Sequence, residues 1–98
     1  MYFVFQGKRY QLRMVNRRDL SNCDGECDDP RTPNKEIRIN RNLKGVRLLE
    51  VCIHEALHAA SFEQWSEEFV ASLARELAVY LWRLGYQTDR SGGALIKN

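Results

Sequence analysis

Apolar and polar residues alternate along the first forty positions and then change to a helical period. Tyr2 to Phe5 and Tyr10 to Val15 flank the polar, glycine-bearing stretch Gln6-Gly7-Lys8-Arg9, a hairpin pattern. In the second run Tyr10, Leu12 and Met14 alternate with Gln11, Arg13 and Val15, the period of a half-buried strand. Asn16 to Asn22 is polar and reads as a connection. Gly25 to Asp28 reads as a short strand ahead of a turn over Asp29-Pro30-Arg31-Thr32-Pro33-Asn34. Glu36 to Asn40 alternates again, with Ile37 and Ile39 on one face.

From about Val46 to Ser61 the spacing predicts a helix. Leu48, Leu49, Cys52, Ile53, Ala56, Leu57, Ala59 and Ala60 cover most of its circumference, so it is buried on several sides. A second helix is predicted from about Glu67 to Leu84, with Val70, Leu73, Ala74, Leu77, Leu81 and Leu84 as its apolar stripe. Ser66 is its N-cap, Glu67 and Glu68 place negative charge in the first turn, and Gly85 supplies the stop. Trp65 and Val70 hold the two positions of a hydrophobic staple. The segment 88–98, with Ser91-Gly92-Gly93, reads as a flexible tail. The expectation is a single α+β domain over residues 1–98: a small, mostly antiparallel sheet of three or four strands packed on the first helix and its long partner.

Composition narrows the classes of function. A net charge of +2, with basic residues scattered, does not indicate nucleic-acid binding. No apolar run reaches the roughly 18 residues of a membrane span. The apolar start Met1 to Phe5 stops at Gln6-Gly7-Lys8, too early for a signal peptide. Three cysteines, an odd number, fit a reducing compartment, and the expected location is cytoplasmic. Asp24, Glu26, Asp28 and Asp29 are read as a solvated acidic loop, and Trp65, Trp82 and Tyr86 as core packing.

The chemistry concentrates in His54-Glu55-Ala56-Leu57-His58. Four residues apart on a helix, both imidazoles leave one face and can hold one metal ion. Glu55, about 100° round the helix from His54, is placed to reach a water on that metal rather than the metal itself. These are the only two histidines of the chain, and the helix around them is otherwise apolar. Two imidazoles and a carboxylate without partners would be costly to bury there. A third ligand must come from a carboxylate or from outside the chain. Extended signatures with a glycine and a histidine further on would need them at 61 and 64, where Ser61 and Gln64 stand. Glu63, Glu67 and Glu68 are the nearest candidates. Glu67 is the choice, because an antiparallel helix pair brings its turn back beside His58 on the side of Val70 and Ala74, whereas Glu68 points outward. For an oxyanion donor Tyr80, Tyr86, Arg75 and Arg83 are available, and nothing in the sequence selects among them.

On these residues the chain resembles the zincin metallopeptidases, on the gluzincin side, where two histidines of His-Glu-x-x-His and a glutamate from a following helix bind zinc. In length and layout it is similar to minigluzincins and to compact phage and bacterial SprT-like metallopeptidases. The resemblance covers roughly Ile37 to Gly85. It implies one Zn2+ per chain held by His54, His58 and Glu67, Glu55 as general base, and a protein or peptide substrate. It also implies that the strand before the active-site helix, through Ile37, Arg38 and Ile39, binds an extended peptide by edge pairing. The SprT group uses a third histidine that this chain lacks, so its DNA-repair role is not carried over. The alternative is a metal-stabilised binding or assembly module, silent or latent, such as a phage accessory protein.

Overall fold

In the computed structural model, which describes residues 1–62, 64–88 and 95–97, the chain runs β1 (Tyr2–Phe5), β2 (Lys8–Val15), a short 3-10 turn (Arg17–Asp19), β3 (Gly25–Cys27), β4 (Glu36–Asn40), α1 (Gly45–Ser61), α2 (Glu67–Arg83), β5 (Tyr86–Thr88) and β6 (Leu95–Lys97). The hairpin β1–β2 turns on two residues only. Gln6 and Gly7 both take positive φ (50° and 74°), so β2 begins two residues earlier than the pattern suggested. Each helix boundary lies within one residue of the sequence expectation.

The first four strands form one sheet in the order β1-β2-β4-β3. β1 and β2 are antiparallel, as are β3 and β4, but β2 and β4 run parallel, with Leu12 beside Ile37 and Met14 beside Ile39. The sheet is therefore mixed, and β4 lies inside it. The expectation that Ile37, Arg38 and Ile39 form an edge is overturned, because β4 is hydrogen-bonded to a strand on each side. Its side chains agree. Ile37 and Ile39 are 3% and 0% exposed in the core, and Arg38 is held by ion pairs on the other face. The open edges of this sheet are β1 and β3.

One face of the sheet packs on α1. Tyr10, Ile37 and Ile39 meet Leu48, Val51 and Ala59, with Leu12, Met14, Cys27 and Cys52 around them. Burying five or six such side chains contributes roughly 1.5–3 kcal/mol each before entropy is counted. α2 lies against α1 through buried Val70, Ala74 and Ala78, two alanines that let the helices approach closely. Ser66 caps α2, its hydroxyl accepting from the Phe69 N–H at 3.1 Å. Trp65 makes its aromatic contact with Phe69, one residue short of the expected staple partner Val70. β5 and β6 pair antiparallel, so Thr88 and Leu95–Lys97 of the supposed flexible tail are strand; the rest of that tail lies outside the described residues.

The acidic cluster is an ion-pair network rather than a solvated loop. On the face of the sheet away from α1, the Arg38 guanidinium donates to Asp28 at 2.7 Å, Glu36 at 3.2 Å and Glu26 at 3.4 Å. That contact holds the Asp28 carboxyl below its usual range. A carboxyl depressed in the folded state stabilises above its unfolded pKa and loses that contribution as pH falls through the folded value. Asp28→Asn should therefore cost about 1 kcal/mol at pH 7 and flatten the loss of stability below pH ~4. Urea unfolding at stepped pH checks this, and parallel wild-type and variant curves would contradict it.

Candidate metal centre

α1 presents Glu50, His54 and His58 one turn apart along a single face, and α2 begins beside them after the reversal at Phe62 to Ser66. Ser61, the last residue of α1, turns its hydroxyl back to the Leu57 carbonyl at 2.7 Å, which closes the helix before the reversal. Glu67, the first residue of α2, then reaches both imidazoles. Its two carboxylate oxygens lie 2.8 Å from His54 Nε2 and 2.7 Å from His58 Nε2, and the two Nε2 atoms are 3.1 Å apart. The ring centroids are 4.8 Å apart. His54, His58 and Glu67 thus form a group that can hold a metal ion, with one ligand atom from each inside 4.8 Å of the others.

The donor set fits such an ion. Two imidazoles and one carboxylate suit a first-row divalent metal better than calcium, which takes oxygen ligands only. Glu68 is exposed and does not join the group, and Glu63 lies outside the described residues.

Glu55 lies against Gly25 of β3 and is 6% exposed, and it lines the same cavity of about 450 Å³ as His54, His58 and Glu67. Burial, followed by the charges of Glu67 and Glu26, pushes its carboxyl up to about 7. A divalent cation between the imidazoles would draw that value back down. Its neighbour on β3 is Gly25. A Cβ there would lie 2.8 Å from Val51 Cγ1, 3.0 Å from Glu55 Cγ and 3.1 Å from Glu55 Oε2. Only glycine lets the strand come this close to α1 while leaving room for the carboxylate. Gly25→Val should destabilise the fold by about 1–3 kcal/mol and displace Glu55. Denaturant titration together with the structure of the variant tests this, and an unmoved Glu55 in a fully stable protein would refute it.

The other sequence expectations resolve as follows. Arg75, Tyr80 and Arg83 lie together on a different face of α2, and neither they nor Tyr86 line the cavities around Glu55. The cation that borders the site is Arg47, which donates to Asp24 at 3.0 Å and Glu50 at 3.2 Å. Gly25, Asp24 and Arg47 escaped the sequence reading; the spacing of Arg47 and Glu50 ahead of His54 on one helix face was the available signal for two of the lining residues. Cys23, Cys27 and Cys52 are free thiols. Burial and then Glu55 raise the Cys27 thiol to about 12, which keeps it protonated and unreactive. Trp65 and Tyr86 are 43% and 36% exposed and are not core residues.

Among the described residues no helix is long and apolar enough to cross a membrane. In comparisons with protein families, curated proteins and solved structures, none matches this chain.

Proposed function

We propose that this chain is a zinc-dependent peptidase of the cytoplasm. The observation that carries the reading is convergence. Three ligand atoms from two helices meet at one point, and a second carboxylate, buried and outside the ligand group, shares their cavity. Hydrolysis needs a base beside the ion, and this carboxylate can supply it. Zinc, when bound, would polarise a peptide carbonyl and lower the pKa of water at its open position.

The residues of the chain supply the rest. His54 and His58 hold the ion from one helix face, and Glu67 completes the set across the helix pair. Glu55 accepts the proton of the attacking water and delivers it to the departing amine. Its place in the same cavity as the three ligands puts a carboxylate within the site for both transfers. The open side of β3 takes the place foreseen for β4. The backbone bonds from Asn40 N–H to Asp24 and from Asp28 N–H to Glu36 turn the even residues of β3 toward β4. Gly25 and Cys27 accordingly face the free edge, beside Glu55, where an extended peptide can add as a strand. Three free thiols suit a reducing compartment.

The test is metal removal and return. Purified protein should contain about one zinc per chain, cleave a mixed peptide library, lose cleavage on chelation and regain it with one equivalent of zinc. Zinc that binds tightly and stabilises the fold without any cleavage would leave a metal-stabilised binding module instead.

A further inference from the structure

The cleft around the candidate metal centre has two unlike ends. One is polar, walled by Asp24, Arg47 and Glu50 in mutual ion pairs. The other is a second cavity of about 320 Å³ that shares Glu55 and His58 with the first and is walled by Cys27, Phe62 and Trp65. Trp65 is 43% exposed, and Phe69, which meets it edge to face at 5.3 Å, is 50% exposed. Two large rings side by side at the rim of a polar cleft are an exposed apolar patch of the kind that marks a contact surface.

We propose, resting on the peptidase reading, that the cavity between Cys27, Phe62 and Trp65 is a substrate subsite for a large apolar or aromatic side chain next to the bond that is cut. Its position follows from the shared floor. A group that touches Glu55 and His58 from this side stands immediately beside the reacting centre, so its occupant belongs to a residue adjoining the scissile bond. Its chemistry follows from the walls. An aromatic side chain finds aromatic walls in Phe62 and Trp65, and Phe69 meets the indole edge to face. An acidic side chain would meet Glu55. A lysine would shed its water against rings whose nearest carboxylates are already committed to the metal and to the attacking water. An apolar side chain meets neither cost.

Binding and cleavage test the subsite separately. The probes are end-capped pentapeptides acetyl-Ala-Ala-X-Ala-Ala-amide, with X as Phe, Leu, Ala, Lys or Glu. Binding is read from Trp65 fluorescence in zinc-loaded protein carrying Glu55→Gln and Trp82→Phe, so that one indole reports. The Phe peptide should saturate at about tenfold lower concentration than the Ala or Glu peptide. By calorimetry, Trp65→Ala should remove that difference, and Trp65→Phe should restore part of it. Cleavage by the native chain should favour Phe over Ala by about tenfold in kcat/KM. Equal binding of the Phe, Ala and Lys peptides, or a preference for Lys, overturns the subsite. Phe-selective binding with no zinc-dependent cleavage keeps the subsite and removes the peptidase reading. Zinc-dependent cleavage that is indifferent to X does the reverse.

Discussion

Glu55→Gln should lower peptide hydrolysis by about 10²–10⁴-fold while zinc stays near one per chain. The amide keeps the size of the carboxylate and its place against Gly25, so the cavity retains its shape. What is lost is the base. Glu55 lies against Gly25 of β3 and outside the ligand group, so metal content should not follow activity. A second consequence separates this from a general loss of structure. In metal-free protein the buried carboxyl is opposed by desolvation and by Glu67 and Glu26, and a neutral amide escapes all three. The variant should therefore be more stable than the native chain toward urea at pH 8, where that carboxyl is ionised. Retained turnover would remove Glu55 from the mechanism; a drop in both stability and zinc would show that its role is architectural.

His58→Ala should abolish stoichiometric zinc binding, weakening affinity by well over the roughly 100-fold that loss of a mere supporting residue costs. Without His58 the chain offers His54 and Glu67 alone, one protein ligand short of the three that a tetrahedral site with one open position needs. Glu67→Ala should also weaken zinc, whereas Glu68→Ala, on the exposed side of α2, should leave affinity as it was. Titration against a chromophoric chelator reads all three variants. Folding should survive, because Leu48, Leu49, Val70 and Ala74 pack without help from the site. Zinc remaining near one per chain in His58→Ala would mean that the ligand set is wrong, and equal losses for Glu67→Ala and Glu68→Ala would mean that the third ligand is misassigned.

Local chemistry was legible because it is written at short range. The i, i+4 spacing of His54 and His58 on a strongly apolar helix, the Ser66 cap and the acids that follow it need no partner beyond their own turn. Glu67 could be reached by one further step, since a reversal of a few residues leaves an antiparallel helix pair little choice of where its first turn falls. The edge strand could not. Alternation in Glu36 to Asn40 tells which face is buried but is silent on which strands lie to either side. Seating β4 between β2 and β3 required the chain to pass over a strand position through residues 16–24, a crossover that leaves no periodic mark. The acids near the cysteines were misread for a related reason. Arg38 lies 10 residues from Asp28 in the chain and within 2.7 Å of it in space.

By itself, the order of residues determined the first four strands, both helices and the pair of imidazoles, because periodicity and capping act within a few residues; the pairing of β5 with β6 left no such mark. Only the tertiary structure decided which strand lies open beside Glu55, that Gly25 must be small there, and that Phe62 and Trp65 wall one end of the cleft. Those are contacts between segments distant in sequence. They arise from how the sheet and the helix pair bury their apolar faces against each other, and that is a property of the assembled chain.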